Sequence, residues 1–562
     1  MARANDEMAA LLEEYAALFA MTGGDAFRVR SYQKAARSIA GHPDDLRETD
    51  IRKIPNVGSA ITGKVEEFLR VGTFHQLERL RAQVPEGVRA MTRIPSLGPK
   101  KAMALFEDLG IDSPEALAEA IRAGRLKGLR GFGAKTEANL LRGIEQLATA
   151  GGRVHIGVAM ALAERVMADL PAAGRIAYAG SLRRMKETIG DIDILATGDS
   201  ATLMGAFTAL PYVTEVIASG AAKTSVRTDA GLQIDLRVVP EESFGAAMQY
   251  FTGSQAHNIR LREIAVKQGR KLSEYGLFEG SAVIASRTEE DVYEALGLPW
   301  VPPPLREDTG EIEAALRGEL PVLVTEADIR GDLHTHTDLT DGVASIEEMV
   351  AAAAARGYEY YAITDHAPDL AMQRMTLEKA LAQRELLPGL EKRHGLRLLH
   401  GTELNIAPDG SVDWPAEVLA GFDVTVASVH SHFTQSREEM TRRFIAACEN
   451  PHVHVIGHPT TRKIGKRQPV DADWDEIFRV CARTGTVLEI DAYPDRNDLP
   501  ADLVRRARGL GVKFSIDSDS HAVPHLANLR YGVGTAQRGW LTPDDVVNTW
   551  PADRLLAYLH GR

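Results

Sequence analysis

The run GSLRRMKETIGDIDILA (180–196) concentrates residues that could handle a phosphate chain. Asp191 and Asp193 stand two apart in a segment that alternates as a strand should, so both carboxylates point to one face. Asp235, in LQIDLR, lies in a second such segment and could join them from a neighbouring strand. Three clustered carboxylates repel one another unless a cation sits among them, and hard oxygen ligands suit Mg²⁺. Two such ions can activate an attacking 3′-hydroxyl and stabilise a leaving pyrophosphate in an in-line displacement. Gly180 and Ser181, at an expected helix N-terminus, would hold the triphosphate through backbone N–H groups and a hydroxyl, assisted by Arg184. An isolated D-x-D is a weak signal, but Gly-Ser, Arg, acid pair and distal acid together are specific.

A second set follows residue 330. His334, His336 and Asp341 fall in GDLHTHTDLTDG, His366 in ITDH, Glu403 in HGTEL, His430 in ASVH, His458 in IGHP, and Asp519 with His521 in DSDSH. Nearly all end an apolar segment. Mixed imidazole and carboxylate donors favour Zn²⁺, Mn²⁺ or Fe²⁺ over Mg²⁺. Nine candidates exceed the needs of one tetrahedral ion and imply two or three. Bridged ions generate hydroxide near neutral pH and clamp a phosphate. Only His42, His75, His155 and His257 of the 17 histidines precede residue 330, so the skew itself points to a metal centre. His394, His400, His452, His454, His525 and His560 read as structural, and His432 admits either reading.

These residues need elements to position them. Helical periodicity dominates residues 1–150, and IRKIPNVGSAITGKVEEFL (51–69), MTRIPSLGPKKAMALFEDLG (91–110) and LKGLRGFGAKTEANLLRGI (126–144) each read helix, apolar-Gly hairpin, helix. Turn glycines Gly58, Gly98, Gly131 and Gly133 leave the next helix's first N–H groups free to meet a phosphate. Such hairpins grip the DNA backbone without reading bases. Beyond Gly151 and Gly152, RIAYAGS, DIDILAT and LQIDLRVVP alternate as sheet strands. The Pro-rich, polar stretch 298–330 reads as an interdomain linker. From Ile329 onward short apolar strands alternate with helices, the rhythm of a β/α barrel with its chemistry at strand ends.

At 562 residues the chain suggests about four domains. Its net charge of −13 would argue against nucleic acid if it were uniform. It is not: residues 1–150 carry 22 Lys+Arg against 20 Asp+Glu, and the remainder 43 against 58. Two cysteines, Cys448 and Cys481, are too few for a disulfide framework and fit a reducing cytoplasm. No apolar run approaches the roughly 18 residues of a membrane span, and the acidic opening MARANDEMAALLEEY lacks a signal peptide's apolar stretch.

The string GS-x-RR-x-x-E-x-x-GDID resembles the nucleotidyltransferase palm of family X DNA polymerases, the group of DNA polymerase beta. The likeness continues through YFTGSQAHNIRLR (250–262), LSEY (272–275) and the hairpins of 51–110. It implies Asp191, Asp193 and Asp235 as metal ligands, and Gly180, Ser181, Arg184, Gly190 and Gly253 at the nucleotide. Tyr250 and Phe251 would face its sugar, with Asn258 and Arg262 near the minor groove of the nascent pair and the template. Lys64 falls where the family's lyases carry their Schiff-base lysine, although Asn56 replaces the first hairpin glycine and Ala60 a further lysine. The nine donors resemble those of the polymerase-and-histidinol-phosphatase (PHP) domain, a seven-stranded β/α barrel with a trinuclear site, over roughly 329–540. In bacterial family X enzymes with this fusion, the domain is associated with Mn²⁺-dependent 3′→5′ exonuclease and abasic-site endonuclease activity.

The expected architecture is a helix-hairpin-helix region (1–80 and 81–150), an α+β palm (151–240) and thumb (241–300), a linker (301–328) and a distorted (β/α)7 barrel (329–562). The expected enzyme is a gap-filling DNA repair polymerase with a hydrolytic barrel, using Mg²⁺ or Mn²⁺ in the palm and two or three Mn²⁺, Zn²⁺ or Fe²⁺ ions in the barrel. Its expected partners are gapped or nicked duplex DNA and dNTPs, as a monomer in the bacterial cytoplasm at the nucleoid. The rivals are a damage-binding scaffold with an inactive polymerase fold, or a small-molecule phosphoesterase; the complete acid triad and donor set disfavour the first, the three hairpins the second.

Overall fold

The computed structural model describes residues 4–42, 44–92, 94, 97–126, 132–133, 136–137, 140–141, 143–144, 152–171, 173–370 and 375–561. The N-terminal region is helical, with α1 (Ala4–Met21), α2 (Ala26–Ala40), α3 (Ser59–Val71) and α4 (Pro99–Leu109). Asp25 caps α2, its carboxylate accepting from the Phe27 and Arg28 N–H groups. Both α3 and α4 follow an exposed hairpin glycine, Gly58 or Gly98, and stop at a left-handed one, Gly72 (φ +77°) or Gly110 (φ +65°). Asn56 takes the left-handed conformation (φ +62°) where a hairpin glycine was expected, and its amide donates to Ser38 Oγ at 3.0 Å. Asparagine tolerates that region better than other side chains, so the substitution leaves the turn intact. Gly133 is exposed; Gly131 lies outside the described residues.

The next sheet has five strands, β1 (Ile176–Tyr178), β2 (Asp191–Ala196), β3 (Val213–Ser219), β4 (Lys223–Thr228) and β5 (Gln233–Val238), in the order β1-β2-β5-β4-β3. In β2 the D-I-D-I alternation sends Ile192 and Ile194 into a core with Leu182 and Phe207, leaving the acids on the opposite face. The β2–β5 pairing is parallel and puts Asp193 directly opposite Asp235. Helices α5 (Phe244–Thr252) and α6 (Gln255–Lys267) follow, with a three-stranded meander over residues 271–285.

The stretch 301–328 is packed rather than an open tether. Val301, Leu305 and Ile312 share a core with Leu261 and Val292. Its polar residues are buried as partners: Arg306 donates to Glu289 Oε1 at 2.6 Å, and Glu311 meets His257 Nδ1 at 2.7 Å. A polar composition resembles solvated chain until the partners, 17 and 54 residues away, are known.

The C-terminal sheet is β6 (Gly331–Asp332), β7 (Tyr360–Ile363), β8 (Arg397–Asn405), β9 (Val424–Ser428), β10 (Val455–Ile456), β11 (Val487–Asp491) and β12 (Phe514–Asp517), parallel throughout and in sequence order. The barrel nearly closes. A single parallel bridge, Thr335 to Ser520, joins its two edges, and the fully buried Asn548 clamps them: its amide donates to Gly331 (2.9 Å) and Ile516 (2.7 Å) carbonyls and accepts from the Ile516 N–H (3.0 Å). The barrel also meets the palm through α7 (Leu529–Arg538), whose Tyr531 sits in the palm core. No helix among the described residues is long and apolar enough to cross a membrane.

Asn548→Ala removes three buried hydrogen bonds and orphans their partners, so it should cost the barrel about 2–4 kcal/mol. A denaturant midpoint lowered accordingly is the expected result, and an unchanged one would mean the clamp contributes nothing.

Candidate active sites

In the palm, Asp193 is mostly enclosed while Asp191 is exposed at the strand's start. Burial pushes the Asp193 carboxyl up to about 6, reinforced by Asp191 and Asp235. Gly180 (φ +62°) stands against this acid so closely that a Cβ there would lie 2.7 Å from Asp193 Oδ2; only glycine lets the turn approach. Ser181 follows in the one-turn helix Gly180–Arg183. A Cβ on Gly190 would press to 2.9 Å from Arg153 Nη1. Asp235 is engaged by Lys223 Nζ (2.5 Å), Gln233 Nε2 (2.9 Å) and, at 3.9 Å, Arg237. Sequence reasoning missed Lys223, whose proximity depends on the β4–β5 register. Among the described residues, the groups of three or more donor atoms within 4.8 Å of one another all lie in the barrel, so the palm acids are adjacent but not converged.

Around them, Arg184 donates to Glu307 Oε1 (3.0 Å) and to the Thr252 carbonyl (2.6 Å), which turns it toward the 301–328 segment. Tyr250 and Phe251 meet edge-on with centroids 5.1 Å apart, and the Arg237 guanidinium lies 4.2 Å from the Phe251 ring. Asn258 donates to the Tyr250 carbonyl at 2.7 Å. Gly253 makes room for it, since a Cβ would fall 2.3 Å from Asn258 Nδ2. Arg262 is exposed one turn further along α6. Lys64 stands apart from the palm: its side chain is buried in the helical domain, with Nζ donating to the Ala60 carbonyl at 3.3 Å and 5.4–6.0 Å from the Tyr15, Tyr32 and Phe74 rings.

The barrel brings all nine candidate donors together at the strand ends. Three overlapping groups form: His336, Asp341, His366 and His521; His334, His336 and Asp519; and His366, Glu403 and His430. His458 joins through Nε2, 3.1 Å from Glu403 Oε1. Glu403 bridges the groups, its other oxygen lying 2.8 Å from His366 Nδ1 and 3.4 Å from His334 Nε2. Burial would raise its carboxyl, but His430, His366 and His334 hold it well below the usual range. His334 Nε2, both His336 ring nitrogens, Asp341 Oδ1 and His366 Nδ1 are buried and make no well-directed hydrogen bond among the described residues, although His366 Nδ1 and His334 Nε2 lie within 3.4 Å of Glu403. Inward-facing imidazole and carboxylate atoms crowded together without well-directed hydrogen bonds fit two or three divalent cations. His458 (φ +27°) and Asp519 (φ +47°) hold left-handed backbone that their side chains disfavour, local strain of the kind that gathers at functional sites.

Two supporting residues were missed in the sequence. Glu489 Oε1 lies 2.6 Å from His334 Nδ1, and Asn405 Oδ1 lies 2.7 Å from His430 Nδ1, contacts that fix which ring nitrogen faces inward. The only signal for Glu489 was an acid inside the apolar run TVLEID. Of the other histidines, His400 accepts from Arg384 and His454 from the Thr425 N–H, both structural roles, and His432 is exposed.

Comparison with known proteins matches residues 3–74 to the helix-hairpin-helix domain, 88–146 to the SAM-like helix-hairpin-helix tandem, 247–307 to the DNA polymerase beta thumb and 332–492 to the PHP domain. The chain is 34% identical over 560 residues, 98% of either chain, to the DNA polymerase/3′-5′ exonuclease PolX of Bacillus subtilis. Its C-terminal part is similar to probable phosphatases: 28% identical over 228 residues to one from Syntrophotalea carbinolica (39% of this chain, 90% of the relative) and 30% over 200 residues to one from Acetivibrio thermocellus (34% and 78%).

Removing the acid behind His334 tests how the donor centre is held. Glu489→Ala should weaken divalent-metal binding about 10- to 100-fold. Chelator competition followed by metal analysis measures it, and wild-type retention would show that Glu489 does not orient the ligand.

Proposed function

The chain belongs to the family X DNA polymerases that carry a C-terminal PHP domain, and from that membership we propose a two-site enzyme that extends a primer into short DNA gaps and hydrolyses 3′ ends. The observation that carries the reading is the presence on one chain of an Asp193–Asp235 pair in register and a nine-donor barrel. The division into helical (1–80, 81–150), palm (151–240), thumb (241–300), connecting (301–328) and barrel (329–562) regions is part of the proposal, as are a repair role in the cytoplasm and abasic-site cleavage by the barrel.

In the palm, Asp191, Asp193 and Asp235 would hold Mg²⁺ or Mn²⁺, and in the barrel the nine donors would hold Mn²⁺, Zn²⁺ or Fe²⁺. When bound, these ions supply charge neutralisation and a more acidic attacking hydroxyl or water. The residues do the rest. Gly180 and Ser181 present N–H and hydroxyl donors to the dNTP phosphates, close to Asp193. Lys223 must give up Asp235, and Arg184 must leave Glu307 to reach the triphosphate. Tyr250 and Phe251 support the sugar, with Asn258 and Arg262 toward the base pair. The exposed N-termini behind Gly58 and Gly98 hold DNA by its backbone, and Gly131 and Gly133 mark the third grip. A second reading attaches to Lys64. An amine shielded by three rings, with no ion pair to a carboxylate among the described residues, could attack the C1′ aldehyde of an abasic sugar once that sugar enters the aromatic box.

Separation of function tests the main reading. Asp193→Asn should abolish gap filling, a loss of at least about 10³-fold, and leave Mn²⁺-dependent digestion; His336→Ala should do the reverse. Retained extension in the first variant overturns the palm assignment, and retained digestion in the second overturns the barrel's. For Lys64, borohydride trapping on an incised abasic duplex should yield a covalent adduct that Lys64→Ala loses; no adduct with the wild type retires the lyase.

A further inference from the structure

The barrel's donor centre opens into a cavity of about 340 Å³, and one wall of that cavity is not barrel. Glu13 of α1 and Arg37 of α2 line it together with Lys463, Lys466 and Arg496. The helical domain seats here through Gly41, just after α2. A Cβ at Gly41 would lie 2.5 Å from Val343 Cγ2 and 2.7 Å from the Ala522 Cβ. Those two residues neighbour Asp341 and His521 in sequence, so the domain rests against the loops that carry two of the nine donors.

The charges at this mouth have a definite sense. Once Asp341 and Asp519 are counted with the metal centre, four cations, Arg37, Lys463, Lys466 and Arg496, face two acids, Glu13 and Asp495. Arg496 is the innermost: its Nε lies 3.5 Å from Asp491 Oδ2 and 3.9 Å from Asp519 Oδ2, while its buried Nη1 has no hydrogen-bond partner among the described residues. Lys463 Nζ reaches Asp495 at 3.9 Å, a loose contact. Arg37 and Lys466 are exposed and make no ion pair among the described residues. A half-buried guanidinium with a buried, idle N–H beside a hydrolytic centre, flanked by unpaired cations on two domains, is matched in chemistry by a chain of phosphodiesters.

We propose that Arg37, Lys463, Lys466 and Arg496 form a cradle for the sugar-phosphate backbone of the DNA strand being digested, so that the N-terminal helical domain is a component of the hydrolytic site. The strand's terminal phosphodiester reaches the donor centre, and the phosphates behind it pass between α2 and the barrel. This rests on the hydrolytic reading of the barrel and adds the substrate's path.

The test compares two diesters of different length. Full-length wild type and the Arg37→Gln, Lys466→Gln double variant are assayed with Mn²⁺ on a single-stranded oligonucleotide and on bis(p-nitrophenyl) phosphate, which has one phosphate and no backbone. The double variant should show oligonucleotide kcat/KM reduced about tenfold relative to that for the small diester, through KM. Its slope of log KM against log salt should fall by about one per cation removed. An unchanged ratio and salt slope, or equal loss on both substrates, overturns the cradle. Gly41→Leu, which pushes α2 off the barrel, should raise the oligonucleotide KM as Arg37→Gln alone does; a wild-type KM there overturns the helical domain's part. Wild-type protein that turns over neither substrate overturns instead the hydrolytic reading beneath.

Discussion

Glu403 lies at the centre of the barrel's donor cluster with its carboxylate 2.8 Å from His366 and 3.1 Å from both His430 and His458. Around this inner set runs an outer ring of buried acids: Asp332, Glu489, Asp491 and Asp517. Burial pushes Asp332 up to about 8 with help from Asp517, and pushes Glu489 up to about 7 despite His334. Such a density of acids costs several kcal/mol per charge in desolvation, and neither sheet nor core could hold it without compensating partners. The barrel supplies them through geometry. Parallel strands in sequence order bring seven carboxyl ends to one rim, and the outer acids there accept hydrogen bonds, as Asp517 does from the Leu333 N–H and Asp332 from Ser518. The closing clamp at Asn548 matters for the same reason, since opening that seam would separate His334 and His336 from Asp519.

The palm meets the same problem on a smaller scale and with a different device. Two of its acids are brought together by one strand pairing, Asp193 opposite Asp235, and their repulsion is relieved by a single lysine, Lys223, 2.5 Å from Asp235, instead of a shell of buried partners. In the barrel the candidate donors are instead fixed by outer hydrogen bonds, Glu489 on His334 and Asn405 on His430.

The sequence carried the chemistry better than the assembly. The Asp191–Asp193 spacing and the distal Asp235 were legible because they lie in strands whose period can be read locally, and the barrel donors because nearly all of them lie at the end of, or just beyond, a short apolar strand. The hairpins were legible for a similar reason, even with Asn56 at a left-handed position. What local reading could not supply was partnership across distance. Residues 301–328 looked like solvated linker because Arg306 and Glu311 give no sign in sequence of Glu289 and His257. Arg184 is tied to Glu307, 123 residues away, and Glu489 to His334 across 155. Each of these is a buried or half-buried charge whose solvated appearance in sequence is reversed by a single partner.

The interdomain contacts also differ in kind, and this bears on how one strand could serve two sites. Palm and barrel share a broad, mixed interface. Tyr531 of α7 enters the palm core and Arg538 donates to the Arg184 carbonyl at 3.0 Å. Arg530 pairs with Glu164 at 2.7 Å and Arg462 with Glu187 at 2.6 Å. Gly534 and Gly157 allow close contacts with Met185 and Pro494 that any Cβ would block. Mixed apolar and ionic contacts at several separate points resist both sliding and rotation, so the two catalytic centres are held on one frame. The helical domain, by contrast, keeps a core of its own and touches the barrel at Gly41 through small side chains. Small apolar contacts release at little cost, roughly 25 cal/mol for each Å² uncovered.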